Sequence, residues 1–312
     1  MKGIINKQST HKLRTEQRDT LERISVIMSD VLNVISITAK ASNRISGLTT
    51  GFSDLDGLTK GLNNSDMILI ASRPGMGKTS IALNIALHVA KESDKTVAVF
   101  SLDMSREQLA TRLLSASSYV DGRKLHNGRF NTEEWKHVED TATMISETKL
   151  MINDVPYLSV EEMREQCRSI SDLGLVIIDY MQLVPAATKE RGCMSEDRAL
   201  INSKISRAMK AMARELDVPV VCLSQLNRDV DGRNMEERRP MLSDLCVYGS
   251  IERDADVVIG LFREFYYDRE SEYPNIAECI VLKNHRGETG SVNLHWNLEI
   301  TKFSSLEAGQ VE

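Results

Sequence analysis

Apolar residues between positions 10 and 38 recur every three or four places, and this period predicts one amphipathic helix. The apolar stripe consists of Leu13, Leu21, Ile24, Ile27, Met28, Val31, Leu32 and Ile35. A helix outside the main domain must bury such a stripe, either against its own domain or against a neighbouring subunit. The polar stretch that follows, residues 40–50, is expected to be a linker.

After residue 51 the pattern changes to short apolar runs that alternate with helical periods. Strands are predicted at 66–72, 96–102, 150–154, 175–179, 219–224, 257–262 and 277–283, with an edge hairpin strand at 292–296. Helices are predicted at 79–91, 106–119, 132–145, 160–172 and 196–216. This alternation is typical of an α/β fold with a doubly wound, mainly parallel sheet flanked by helices. Ligands of such folds bind at the carboxyl ends of the strands.

Composition adds limits to this picture. The chain has 312 residues, of which 41% are hydrophobic and 27% charged, so it can build a sizeable core. A net charge of -6 excludes a global basic field, so nucleic acid would have to bind a local patch. The five cysteines form no zinc-binding pattern, and their odd number suits a reducing compartment. We expect a cytoplasmic location without secretory leader or membrane span.

One turn carries the signature of a phosphate-binding loop. It consists of Ser72, Arg73, Pro74, Gly75, Met76, Gly77, Lys78 and Thr79. A strand, a tight glycine turn and a helix amino end present backbone N–H groups and a positive dipole to phosphate. Lys78 is placed to contact the β- and γ-phosphates and Thr79 to bind Mg²⁺. The sequence therefore predicts ATP with Mg²⁺, although Ser72 replaces the glycine that begins the strict pattern.

Three further strand ends supply candidate partners of this loop. Asp179 ends an apolar run and is predicted to join the Mg²⁺ shell, or else to cap the strand end. Asp103 is a candidate general base that orients water, or else the N-cap of the next helix. Gln225 is placed to sense the γ-phosphate, and Arg228 to carry that state outward. The charged segment of residues 228–239 is either a solvated loop or a nucleic-acid contact.

Several motifs occur in one order along the chain and identify a family resemblance. They are TGFSDLD at 50–56, the phosphate loop, SLDMS at 101–105, LVIIDYMQL at 175–183, LSQLNR at 223–228, GSIERDADVV at 249–258 and LKNHRGETG at 282–290. Together they resemble the C-terminal ATPase domain of the DnaB-type replicative helicases, within the RecA-like ATPases. The resemblance covers residues 50–296, and the LSQLNR and GSIERDAD segments are more specific than the phosphate loop.

The resemblance implies a homo-hexameric ring that hydrolyses ATP between subunits and translocates on single-stranded DNA, with a helicase loader and a primase as possible partners. Residues 1–48 would be the linker and subunit-docking helix, residues 49–305 the ATPase domain and residues 306–312 a tail. The globular N-terminal domain that recruits primase in the bacterial proteins is expected to be missing. By the same resemblance, Lys78, Thr79, Asp179 and Gln225 would keep the roles given above.

Several positions depart from the family pattern. Asp103 stands where the family has a catalytic glutamate. The pair that reaches a neighbour's ATP aligns as Lys283 and His285, with Arg286 one place later, so Arg286 substitutes only if the turn rotates it inward. The loop that meets DNA keeps no arginine there. Its contacts would come from Tyr248, which could stack on a base, from the backbone at Gly249, and from Arg228 and Arg233.

These departures leave alternatives to the helicase motor. A nucleotide-binding ring or scaffold of the same fold with weak hydrolysis would form nucleotide-dependent oligomers without unwinding. A recombinase-like filament is the third hypothesis, against which the GSIERDAD segment and the preceding helix speak.

Overall fold

The structure is a computed structural model that describes Leu21 and residues 23–40, 45–185, 195–248 and 251–306. The chain divides into two units, residues 1–46 and residues 47–312. The described helix of the first unit is α1 (Ile24–Lys40), and the large apolar side chains that the structure describes on it are exposed. Residues 10–20 of the predicted helix lie outside the described residues.

The second unit begins with a turn and a short helix that the sequence pattern did not predict. Leu48 forms an isolated bridge with Leu62, and α2 (Ser53–Thr59) lies between them. The buried carboxylate of Asp56 accepts the backbone N–H of Thr50 at 2.9 and 3.0 Å, which closes this turn. Lys60 ends the helix in the left-handed conformation at φ 62°. The helix was missed because two glycines interrupt the segment 51–59.

In the described part of the chain, nine strands form one mixed sheet in the order β3-β2-β4-β5-β1-β6-β7-β8-β9. The strands are β1 (Met67–Ser72), β2 (Thr96–Ser101), β3 (Leu150–Asn153), β4 (Leu173–Asp179), β5 (Val220–Gln225), β6 (Val257–Phe262), β7 (Ile276–Asn284), β8 (Gly290–Asn297) and β9 (Lys302–Ser305). The first six strands are parallel to one another. The last three are antiparallel additions, so the predicted mainly parallel sheet is confirmed.

The outer strand of the antiparallel end differs from the prediction. β8 was expected at the edge, but it pairs on its other side with β9. Trp296 of β8 faces Phe303 of β9, and their ring centroids are 4.4 Å apart. Four residues with one buried apolar side chain are too short a run for a period-two pattern to be recognised, which is why β9 was missed.

Helices connect the parallel strands and cover the sheet. They are α3 (Lys78–Glu92), α4 (Arg106–Ser118), α5 (Gly122–Asn127), α6 (Thr132–Ser146), α7 (Val160–Arg168), α8 (Ser195–Leu216), α9 (Ile251–Asp254) and α10 (Glu264–Tyr267). Reciprocal capping boxes begin three of them, at Ser105, Asn131 and Ser159. Three 3₁₀ segments follow β5, at Arg228–Gly232, Met235–Arg238 and Leu242–Tyr248.

Two hydrophobic clusters lie on the two faces of the sheet. Ile68 and Ile70 of β1 belong to the cluster that includes α3, whereas Met67 and Leu69 belong to the cluster that includes α7 and α8. Alternate residues of one strand are thus buried on opposite faces, as a sheet covered on both sides requires. Because β1, β2, β4 and β5 are parallel, their carboxyl ends meet at one edge of the sheet.

Candidate functional site: a phosphate loop at the carboxyl ends of four strands

The phosphate loop connects β1 to α3, and two glycines give it its shape. Gly75 has φ 79° and Gly77 has φ 103°, and Gly77 is the N-cap of α3. A Cβ at Gly75 would lie 2.7 Å from the Tyr266 ring, and one at Gly77 would lie 2.8 Å from Phe303. Both positions therefore need glycine for conformation and for space. The packing of Tyr266 and Phe303 against the loop was not visible in the sequence, since both residues lie far along the chain.

Ser72 fits the position where the strict loop pattern has glycine. It is the last residue of β1, is fully buried, and its hydroxyl donates to the carbonyl oxygen of Arg73 at 2.9 Å. Positive φ is confined here to Gly75 and Gly77, so Ser72 introduces no backbone strain. The departure from the pattern is structurally neutral.

Lys78, Thr79 and Asp179 meet at the start of α3. The Thr79 hydroxyl donates to Asp179 Oδ2 at 2.7 Å. Burial raises the pKa of Asp179, while the Thr79 hydrogen bond and Lys78 oppose the rise. Burial also lowers the pKa of the Lys78 ammonium, and Asp179 and Asp103 oppose that fall. The three predicted residues lie together, with Lys78 5.8 Å above the centre of the Tyr180 ring.

Asp103 follows β2 and is exposed at the same edge of the sheet. The helix after it begins at Ser105, whose side chain accepts the N–H of Gln108, so Asp103 is not the N-cap. The N-cap alternative for Asp103 is therefore wrong. Ser101, two residues earlier, is in register with Asp179 of β4, so Asp103 follows at the same strand ends; its charge opposes the fall of the Lys78 pKa and adds to the rise of the Asp179 pKa.

Arg112 of α4 is a site residue that sequence reasoning missed. Burial lowers the pKa of its guanidinium, and the charges of Asp179 and Asp103 oppose that fall. Leu109, one turn earlier, lines a small cavity with Thr79 and Asp179, which turns this face of α4 toward the site. The sequence did offer a signal for this residue: an arginine seven places after the SLDMS motif, within a segment predicted to be helical.

Gln225 ends β5 directly beside the start of the loop, since it is in register with Ser72. Its backbone N–H donates to Gln182 Oε1 at 3.3 Å, and Gln182 Nε2 donates to Ser224 Oγ at 2.8 Å. Gln182 thus braces the end of β5 through the backbone of Gln225 and the hydroxyl of Ser224. Gln182 belongs to the LVIIDYMQL motif but was not recognised as a brace.

Lys283 and Arg286 lie at the other end of the parallel strands, away from the phosphate loop. Val257, at the start of β6, pairs with both Ile68 of β1 and Asn284 of β7. Residues 283–286 are therefore at the amino ends of the parallel strands, so these side chains cannot serve the phosphate loop of their own subunit.

Partners within the same chain hold both cations. Lys283 Nζ donates to the carbonyl oxygens of Glu252 and Ala255 at 2.7 Å each. Arg286 donates to both oxygens of the buried Asp66, at 2.8 and 2.9 Å, and this pair raises the pKa of Arg286. His285 is half-exposed with Nδ1 3.5 Å from Asp256.

The charged segment after β5 is attached to the body of the domain. Arg233 pairs with the buried Asp244, and Arg239 pairs with Glu278 at 2.7 Å. Arg228 is exposed and makes no hydrogen bond or ion pair with the described part of the chain. Tyr248 ends the 3₁₀ segment Leu242–Tyr248, and its side chain, like Gly249, lies outside the described structure.

The residues present fit a triphosphate with Mg²⁺. A hydroxyl and a carboxylate oxygen 2.7 Å apart are hard oxygen donors of the kind Mg²⁺ prefers. The glycine turn leads N–H groups to the amino end of a 15-residue helix beside Lys78. No cluster of three or more His, Cys, Asp or Glu side chains suited to another metal occurs among the described residues. Within that same part of the chain, no helix has the length and apolar character to cross a membrane.

This combination of sheet order and loop defines a RecA-like P-loop NTPase domain. The sequence matches the family described as DnaB-like helicase C terminal domain over residues 47–305. The chain therefore belongs to this family.

Among curated relatives, the replicative DNA helicase DnaB of Geobacillus stearothermophilus is 40% identical over 289 residues, which is 92% of this chain and 62% of that protein. The replicative DNA helicase DnaC of Bacillus subtilis (strain 168) is 42% identical over 266 residues, 84% of this chain and 57% of that protein. The chain thus spans about three fifths of the length of these relatives.

Solved structures agree with the family assignment. A solved structure described as an ATPase domain superposes with a TM-score of 0.83 at 35% identity, covering 90% of this chain and 99% of that domain. A DnaB-like replicative helicase, described with its interactions with primase, superposes with a TM-score of 0.80 at 35% identity, covering 89% of this chain and 66% of that one.

Proposed function

We propose that this chain is the motor of an ATP-dependent replicative DNA helicase, working as a homo-hexameric ring on single-stranded DNA. The observation that carries the proposal is the assembled group of Lys78, Thr79 and Asp179 at a glycine turn, with Asp103 exposed beside it. The family membership and the names of the relatives support the reaction and the DNA substrate.

The residues divide the work by position. Lys78 and the loop backbone hold the phosphates, and Thr79 and Asp179 hold Mg²⁺. When bound, Mg²⁺ supplies positive charge to the phosphates during phosphoryl transfer. Asp103 orients water and accepts its proton, since it is the exposed carboxylate beside the loop. Gln225 contacts the γ-phosphate region from the end of β5.

A neighbouring subunit completes the site in this proposal. Lys283 and Arg286 lie at the sheet edge away from their own loop, as residues that serve a neighbour must. Arg286 has to release Asp66 before it can reach another subunit's phosphate. Residues 1–48 would dock on the adjacent subunit, and residues 49–305 would form the ATPase domain.

DNA contacts are proposed at the segment after β5 and at the next loop. Arg228 is the exposed cation there, and Arg233 contributes once Asp244 releases it. Tyr248 and Gly249 complete the proposed DNA surface. A helicase loader and a primase are proposed partners of the full assembly, because a similar helicase has been described with its interactions with primase.

The test is ATP turnover with and without single-stranded DNA, together with strand displacement on a forked duplex. We expect DNA-stimulated hydrolysis and unwinding in the wild-type chain, and neither in Lys78→Ala. A chain with no DNA-stimulated hydrolysis and no unwinding would sink the proposal.

Two observations favour a second function, a nucleotide-binding ring with weak hydrolysis. Asp103 is one methylene shorter than the family glutamate, and Arg286 is engaged by Asp66. Electron microscopy would then show nucleotide-dependent rings from protein that does not unwind DNA. Closed rings would also exclude a helical, recombinase-like filament.

A further inference from the structure

The phosphate loop is attached to the segment of residues 228–239 by one ion pair. Arg73 is buried, and its Nε donates to the two oxygens of Asp231 at 3.1 and 3.0 Å. Its Nη2 donates to Asp231 Oδ2 at 2.6 Å. Nη1 donates to the carbonyl oxygen of Leu226 at 2.8 Å, directly after β5. Every nitrogen of this guanidinium is therefore aimed at the segment that follows β5.

Asp231 also accepts a hydrogen bond from a third part of the chain. The hydroxyl of Tyr267 donates to Asp231 Oδ1 at 2.9 Å. Arg73 and Tyr267 hold the pKa of Asp231 below its ordinary value, so the carboxylate stays charged. The neighbouring Tyr266 ring lies against Gly75, and Arg263 Nη1 donates to the Gly75 carbonyl oxygen at 3.1 Å. Asp231, through Arg73, and the start of α10, through Arg263 and Tyr266, thus contact the same loop.

The loop needs such anchors because its backbone belongs to neither a strand nor a helix, whose regular hydrogen bonds would fix its shape. Residues 73–77 lie between the end of β1 and the start of α3, and two of them are glycines with positive φ. Glycine loses more conformational freedom on ordering than any other residue. A loop held in its binding shape before the ligand arrives loses less freedom on binding, which strengthens affinity.

We propose that Asp231 is a positioning residue of the phosphate loop, which it holds in its binding shape through Arg73. The proposal rests on the proposed function, since it takes a nucleoside polyphosphate as the ligand. It assigns the segment 228–239 a task at the nucleotide site in addition to its proposed DNA contact. Loss of Asp231 should weaken nucleotide binding more than turnover at saturation.

The experiment compares Asp231→Asn with Asp229→Asn in the full chain. Asp229 lies two places earlier in the same 3₁₀ segment, is exposed, and accepts only from Asn227 among the described residues, so it matches the charge change without touching the loop. Titration with a fluorescent ADP analogue and Mg²⁺ measures Kd directly. We expect Kd to rise about threefold in Asp231→Asn and by less than about 1.5-fold in Asp229→Asn.

Further readouts separate positioning from a general loss of structure. KM for ATP should rise in Asp231→Asn while kcat stays within about 1.5-fold, and Asp231→Glu should recover part of the affinity. Arg73→Gln combined with Asp231→Asn should weaken binding no more than Arg73→Gln alone, because Arg73→Gln already removes the pair with Asp231. Thermal unfolding checks that the variants remain folded.

Two results would overturn the positioning role. One is equal affinity of Asp231→Asn and Asp229→Asn, and the other is multiplication of the two effects in the double variant. A wild-type chain that bound no nucleotide would instead remove the proposed function, and this proposal with it.

Discussion

The charged groups at the two ends of the parallel strands differ in whether they have partners within the chain. At the carboxyl ends, Lys78, Asp103 and Arg112 form no ion pair with one another among the described residues, although the charge of Asp103 acts on the pKa of both cations. At the amino ends, the two cations near the end of β7 have close partners: Arg286 has Asp66, and Lys283 has three carbonyl oxygens. The first region is arranged for a ligand, whereas the second is satisfied within the subunit.

This difference matters for the proposed trans contact. Breaking a charge-assisted bidentate pair with a buried carboxylate costs free energy that a nucleotide-bound interface has to offset. A residue without a partner has no such cost. In the proposed mechanism, Asp103 and Lys78 can therefore act as soon as a nucleotide binds, whereas Arg286 would act only where a neighbour's phosphate competes with Asp66.

The largest expected effect is at the carboxyl ends of the parallel strands, where the proposed ligand binds. Lys78→Ala removes the phosphate-contacting cation, and we expect ATP turnover to fall at least about a hundredfold. Lys91→Ala, at the exposed far end of the same helix, is the matched control and should keep wild-type turnover. Steady-state phosphate release measures both. A Lys78→Ala chain that kept most of its turnover would place hydrolysis elsewhere.

The next effect concerns the shortened acid. Asp103→Glu adds the methylene found in the family, and we expect kcat to rise about tenfold or more, because misplacement of a base by an ångström can lower the rate on the order of a hundredfold. Asp103→Asn should abolish most turnover. Single-turnover hydrolysis measures the chemical step. An unchanged rate in Asp103→Glu would mean that the aspartate is already well placed.

A smaller effect is expected at the amino ends of the parallel strands, where the cations already have partners within the chain. Arg286→Gln leaves the buried Asp66 without its bidentate partner, and we expect the free energy of unfolding to fall by about 1–3 kcal/mol. His285→Gln, next to it, should change stability by less than about 0.5 kcal/mol, because the side chain is half-exposed. Urea denaturation measures both values.

The double variant Asp66→Asn with Arg286→Gln separates structure from catalysis at this end. It removes the buried charge and should recover most of the lost stability. If Arg286 serves a neighbour, hydrolysis stays low in this stable protein. Recovery of full hydrolysis would restrict Arg286 to a structural role.

The smallest effect is a pH dependence at Asp231. Its folded pKa is lowered by Arg73, so its stabilisation is present above the unfolded pKa of about 3.9 and is lost as pH falls through the lower folded value. Because Asp231 is well exposed, we expect only a few tenths of a kcal/mol. Thermal unfolding of wild type and Asp231→Asn from pH 7 to pH 3 should show a difference that is constant down to about pH 4 and then shrinks. A difference that instead grew toward acid would contradict the sign.

Sequence reasoning was strongest where a residue's partners are close in the chain or follow a known strand end. Four strands end at Ser72, Ser101, Asp179 and Gln225. Their bounds were predicted to within about two residues, because apolar runs identify buried parallel strands. The joint position of Lys78, Thr79 and Asp179 followed from the parallel order. The short elements α5 and β9 were missed because each is too short to establish a period, and α2 was missed because two glycines interrupt its segment.

What the amino-acid order determined by itself is the loop between β1 and α3: which residues turn, which helix begins, and which cation and hydroxyl stand at the start of that helix. These properties depend on backbone freedom at two glycines and on spacing of a few residues. Only the tertiary structure decided that Asp231 holds Arg73, that Tyr266 and Phe303 require the glycines, and that Asp66 holds Arg286. Each of these contacts joins residues at least 158 positions apart, and no local period or spacing carries information about which distant side chains the sheet brings together.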